Sequence, residues 1–299
     1  MVDTASLAGS LTWHGSKQSY FTAHLMADRD LVKDALRAYA YFRWVDDFID
    51  ISSRSDPERH SFIQREKELI NRLYMHEKPV NLALEEEIVA ELISHDRGEN
   101  RKLQSYIQNM LSLMEFDVGR RGKLITQQNL TWYSKCLGKA VIDNLQYFIG
   151  NGHPYPDGGG RYSAAIGAHI AHMLRDMLPD IENGFINIPR EYLEANHISP
   201  QDFNSPPFRS WVRQRVNLAR QLSREGRHYL DTSRNLRYKI VCYWYCARYE
   251  GVLDTIERDG YLLRLVYNDR YKPAAWFRIA WLGSSVILQH FIQGRRQKS

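Results

Sequence analysis

Apolar residues recur at three- and four-residue spacing along most of this chain, the repeat that lines one face of an α-helix. Over 28–50 the repeat is Leu31, Ala35, Ala38, Phe42 and Val45. Over 57–77 it is Phe62, Leu69 and Leu73, and over 83–95 it is Ile88 and Leu92. The pattern predicts further helices over 101–119, 127–150, 161–178, 208–231, 235–259 and 273–292. Alternating runs of the strand type, joined by hairpin turns, are missing. The breakers fall between the periodic stretches. Asp56 and Pro57 open one helix, with Asp as the cap and Pro in the first position. Pro79, Gly98, the Gly- and Pro-rich run 151–160 and the sequence Ser205, Pro206, Pro207 mark loops. No linker, internal repeat or low-complexity tract divides the chain, so the expectation is one all-α domain over 1–299.

Composition changes this picture little. An apolar fraction of 43% with 25% charged residues is enough for a sizeable core. The 18 Tyr, 11 Phe and 7 Trp suit either ordinary packing or a deep cavity lined by rings. Net charge is +5, but the basic residues are spread out and not interleaved with aromatics, so a nucleic-acid partner is not expected. The three cysteines, Cys136, Cys242 and Cys246, form no close pair and are read as packed thiols. The start lacks a basic region followed by a long apolar run, so no signal peptide is read and a cytoplasmic location is the default. Residues 274–292 approach the length of a membrane span but contain Arg278, Gln289 and His290. They are read as a core helix and not a transmembrane segment, with a helix resting on the bilayer as the alternative.

The chemistry lies in two acidic stripes. Tyr39, Arg43, Asp46 and Asp50 follow i, i+4, i+7 and i+11, with Asp47 beside them, so one helical face ends in three carboxylates. A merely solvated face has no reason to exclude Lys here, and Asp is a mediocre helix former. His169, His172, Asp176 and Asp180 form the second stripe at i, i+3, i+7 and i+11, with Arg175 alongside. Pro179 should kink or end that helix, because it lacks an N–H and clashes one turn back. Two acidic pairs on separate helices suit hard divalent cations with oxygen ligands, and such cations suit the ionisation of an allylic diphosphate. Arg43 and Arg175 could add charge-assisted hydrogen bonds to the diphosphate. Aromatic faces could stabilise the resulting carbocation.

These residues resemble the squalene/phytoene synthase family. The stretch 38–50 is similar to the family's first aspartate motif, an Arg shortly before Asp-Asp-x-x-Asp. The stretch 166–189 is similar to its second, which runs from a Gly through Arg-Asp-x-x-x-Asp to a Gly and a Leu-Pro pair. Fainter likeness lies in Ser16 with Ser19, Tyr20 and Phe21, in Met114 with Asp117, in Tyr133 with Gly138, and in Tyr249 followed by Asp259, Gly260 and Tyr261. The resemblance implies a single isoprenoid-synthase bundle of helices around a central cavity. It implies head-to-head condensation of two prenyl diphosphates, farnesyl or geranylgeranyl, with Mg2+ as cofactor and NADPH use left open. Asp46, Asp50, Asp176 and Asp180 would then hold the metal–diphosphate cluster, with His172 as a further metal ligand. Tyr39, Arg43 and Arg175 would contact diphosphate oxygens. Ser19, Tyr20, Phe21, Tyr133, His169, His172 and Tyr249 would meet the substrate. A peripheral membrane contact is compatible with such a substrate.

The chain departs from the family pattern where Gln and Asn give way to His169 and His172. Phe185 stands after Gly184 in place of the usual Arg, Asn187 in place of a Tyr, and Val266 in place of an Arg that Arg264 and Arg270 do not replace in register. Two alternatives therefore stay open. One is a lyase acting on a single prenyl diphosphate, and the other a non-catalytic assembly factor derived from the family.

Overall fold

The three- and four-residue repeat folds as helix throughout the residues described by the computed structural model, which are 3–51, 53–96, 98, 101–150, 154–267, 283–288 and 290. The helices are α1 Thr4–Gly15, α2 Lys17–Met26, α3 Val32–Asp50, α4 Asp56–Tyr74, α5 Leu84–Ser94 and α6 Lys102–Arg120. They continue with α7 Gln127–Phe148, α8 Ser163–Glu182, α9 Arg190–Ala195, α10 Pro206–Thr232 and α11 Leu236–Arg258. Among the described residues no strand forms, and a single parallel bridge joins Leu124 to Ile186. Residues 283–288 are helical. The remainder of the 273–292 expectation, and Arg270, lie outside the described residues. No described helix is long and apolar enough to cross a membrane.

The chain gathers into two compact units. The first comprises Met1–Gly119 and Asp143–His153, the second Arg120–Ile142 and Pro154–Ser299. In the first, α3 packs against α1 and α5, burying Leu36, Ala40, Tyr41, Phe42, Val45 and Ile49. A polar clip fixes this packing. The buried Arg37 donates to Asp34 Oδ1 at 2.7 Å and to Glu91 Oε1 at 2.6 Å, and Thr4 also bonds to both Arg37 and Glu91. The start of α4 lies one residue from its sequence reading. Ser55, not Asp56, is the cap, because Glu58 Oε2 accepts from the Ser55 backbone N–H at 2.7 Å while Ser55 Oγ accepts from Glu58 N–H.

In the second unit α8 packs against α10 and α11. The α8–α10 approach is close enough that a Cβ on Gly226 would sit 2.3 Å from the Ala164 backbone nitrogen. Pro179 does not end α8, one of the two outcomes the sequence reading allowed. It sits in the final turn, where one hydrogen bond is forfeited while Met177, Leu178 and Ile181 stay buried. The stop comes at Gly184, which takes φ +86°. There Phe185 N–H bonds to Asp180 C=O at 2.7 Å and Gly184 N–H to Ile181 C=O at 3.0 Å, satisfying the last carbonyls. All three cysteines are buried free thiols, as expected.

Candidate active site

In the first unit α3 delivers the first stripe as a continuous face. Tyr39 packs against the end of α1. Arg43 donates to Asp46 Oδ2 at 3.4 Å and makes a shorter bond to Asp47. Burial and the neighbouring Asp50 push the Asp46 carboxyl up to about 6 despite Arg43, and Asp47 and Asp117 add to the effect. Asp117, from α6, thus extends the acidic group beyond the helix that carries the motif. This excess of oxygen ligands over positive charge suits a hard divalent cation. Among the described residues, however, no three His, Cys, Asp or Glu donors are preassembled around one point.

The Ser19 to Phe21 segment lies on α2. Ser19 has a structural task, since its N–H and hydroxyl both bond to Ser16 Oγ, at 3.1 and 3.0 Å, at the start of that helix. Tyr20 and Phe21 form an aromatic group with Trp13 of α1, with ring centroids 5.1 and 5.7 Å from the Trp13 ring.

In the second unit α8 sets the second stripe, and its acids are already engaged. Arg175 grips Asp176 with two donors, at 2.6 and 2.5 Å. His172 Nε2 lies 2.8 Å from Asp176 Oδ2. Burial alone would raise the Asp176 carboxyl, but the Arg175 and His172 hydrogen bonds outweigh it and hold the group well below the usual range. Tyr249 of α11 completes the cluster, stacking 5.3 Å from the His172 ring with the Arg175 guanidinium 5.7 Å from its centroid. Asp176 as it stands is an ion-paired carboxylate, not an open metal ligand.

Asp180 leads to two residues whose part in the site sequence reasoning missed, Asn187 and Arg120. Asn187, which replaces the family's Tyr, is buried and joins two sides of the site. Its Nδ2 donates to Asp180 Oδ2 at 3.3 Å, and its Oδ1 accepts from Arg120 Nη1 at 2.7 Å. Arg120 also stands over the Tyr133 ring at 4.9 Å and the Phe185 ring at 5.3 Å, and Arg121 lies 5.6 Å from Phe185. The positive charge absent from position 185 is therefore supplied from the end of α6. The backbone explains how: Gly122 N–H bonds to Gly184 C=O at 2.8 Å and Leu124 bridges Ile186, laying residues 120–125 beside 184–188. The paired arginines three residues after Asp117 were the available signal. Tyr133 in turn packs on His169, with centroids 5.4 Å apart.

The structure thus assembles Tyr39, Arg43, Asp46 and Asp50 on one unit, and Tyr133, His169, His172, Arg175, Asp176, Asp180 and Tyr249 on the other. A family model for squalene/phytoene synthase matches residues 14–275 of the sequence. The chain belongs to the squalene/phytoene synthase family. Its sequence is 29% identical to 15-cis-phytoene synthase of Synechocystis sp. over 126 residues, which are 40% of this chain and 36% of that enzyme's length. The solved squalene synthase HpnC from Alicyclobacillus acidocaldarius superposes with a TM-score of 0.66 at 18% identity, covering 87% of this chain and 95% of that one. A dehydrosqualene synthase solved in complex with ligand superposes with a TM-score of 0.70 at 12% identity, over 95% and 96% of the two chains. The all-α fold is that of the squalene synthases, and the family and its structural neighbours are prenyltransferases of this type.

Proposed function

We propose that this squalene/phytoene synthase family member is a Mg2+-dependent enzyme that condenses two prenyl diphosphates, farnesyl or geranylgeranyl, head to head with release of pyrophosphate. The observation that carries the reading is the carboxylate group of Asp46, Asp47, Asp50 and Asp117, in which burial first and the neighbouring carboxylates second raise Asp46. Asp46 and Asp50 of the first motif would hold Mg2+, as would Asp180, Asp176 and His172 of the second, and bound Mg2+ would neutralise charge on the departing diphosphate. Arg175 is aligned for an exchange. The two-donor fork that grips Asp176 also matches two phosphate oxygens, so an arriving diphosphate can take the guanidinium and free the Asp176 carboxylate. Tyr39 and Arg43 would contact diphosphate from the other motif, and Arg120 and Arg121 supply charge where Phe185 stands. This last point weighs against a single-substrate lyase. Intact Asp at all four motif positions speaks against a non-catalytic factor.

Incubation with farnesyl or geranylgeranyl diphosphate, with and without Mg2+ and NADPH, tests the proposal by product mass. A thirty- or forty-carbon hydrocarbon is expected. An alcohol or ring of the starting length would reassign the protein as a lyase, and no pyrophosphate from any prenyl diphosphate would end both enzymatic readings.

A further inference from the structure

His169 shares the α8 stripe with His172 and Asp176 but none of their bonds. It is 5% exposed, and among the described residues neither Nδ1 nor Nε2 has a hydrogen-bond partner. Buried polar groups in native proteins are nearly always paired, so an imidazole with both nitrogens unpaired calls for a reason. The ring is held in place, tilted 44° against Tyr133, which in turn lies under Arg120. Burial above all, reinforced by the positive potential of His172, Arg215 and Arg120, pushes the imidazole down to about 3. The ring is therefore neutral across the physiological range and presents one free lone pair.

We propose that His169 is the proton acceptor that ends the reaction, removing a proton from the carbon next to the carbocation. The inference rests on the prenyl diphosphate reading above. Ionisation has by then sent the C–O electron pair out with the diphosphate. In the terminating step a C–H bond breaks, its electron pair becomes a new C=C bond at the cationic centre, and the proton goes to a ring nitrogen. No oxidant or reductant takes part. Such a weak base would do little to water or an alcohol, but a C–H bond beside a carbocation is a far stronger acid than an imidazolium. The surroundings also reset the catalyst, because the imidazolium formed among Arg120 and Arg215 sheds its proton readily to water or to released pyrophosphate.

The test compares wild type with His169→Gln and His169→Asn, which keep hydrogen-bonding capacity but lack a basic nitrogen. The readout is hydrocarbon formed per pyrophosphate released, in Mg2+ with farnesyl or geranylgeranyl diphosphate and no reduced nicotinamide. A fall of about tenfold or more in that ratio, with alcohols from water capture making up the balance, is expected. A ratio unchanged in whichever variant folds would overturn the proposal and assign the proton to pyrophosphate or water. Loss of pyrophosphate release in both variants would overturn it too, placing His169 in the ionisation step. Absence of pyrophosphate release by the wild type would instead overturn the prenyl diphosphate reading, and this proposal with it.

Discussion

Replacing Glu66 with Gln should reverse part of the protein's response to pH. Glu66 is fully buried beneath the helix that carries the first acidic motif. Tyr41 Oη of α3 donates to its Oε2 at 3.0 Å, and Arg65 Nη2 of α4 donates to its Oε1 at 2.9 Å. Arg65 also reaches Glu86 of α5 at 3.0 Å, so one guanidinium, 59% exposed, serves two carboxylates. Burial, together with the Glu86 charge, pushes Glu66 from the ordinary 4.5 to about 7 even though Arg65 and Tyr41 pull the other way. The folded state therefore holds a proton that the unfolded chain has released. Its stabilising contribution is complete below 4.5 and is lost as pH rises to about 7. Moving the ionisation that far is worth about 3 kcal/mol. Gln keeps the acceptor for Tyr41 and loses the bond to Arg65, a penalty of about 1 kcal/mol that does not change with pH. Between pH 5 and pH 8 the stability difference should then move by about 2–3 kcal/mol in the variant's favour. Paired urea unfolding curves at intermediate pH values measure it, since groups common to both proteins cancel. A difference independent of pH, or one that moves towards the wild type as pH rises, would show that Glu66 is ionised in the fold and refute the reasoning.

Further outcomes are expected at the acids and at the closest helix contact. Asp46→Asn and Asp176→Asn should each lower pyrophosphate release from a prenyl diphosphate by about 100-fold or more, as loss of a group that stabilises departing charge does; near-normal turnover in either would remove that residue from the site. Gly226→Ala should cost about 2 kcal/mol or more, because the new methyl would lie 2.3–2.6 Å from Ala164 and drive α8 and α10 apart. Thermal and urea unfolding check this, and a loss within measurement error would mean that the helices separate freely.

Periodicity alone located eight helices, α3 to α8, α10 and α11, within a few residues, because helix formation and the burial of one face are local properties of sequence. The helices it did not mark are those without a usable stripe. α1 is mostly small and hydroxyl residues and buries only Thr4, Ala8 and Thr12, α2 buries none, and α9 has six residues. Local spacing also determined that Tyr39, Arg43, Asp46 and Asp50 share a face, and that His169, His172, Asp176 and Asp180 do. Only the tertiary structure decided the state of those groups. Asp176 is spoken for by Arg175 and His172, and Asn187, which looks like a lost contact in sequence, bridges Asp180 to Arg120. Position 185 gives up its Arg and seats two others on a phenyl ring. His169 and His172, three residues apart on one helix, differ completely: the second is half-buried and pairs with a carboxylate, the first is sealed with no hydrogen-bond partner among the described residues. Ionisation and hydrogen bonding depend on which distant residues and how much water surround a group, and spacing along one helix carries no information about either.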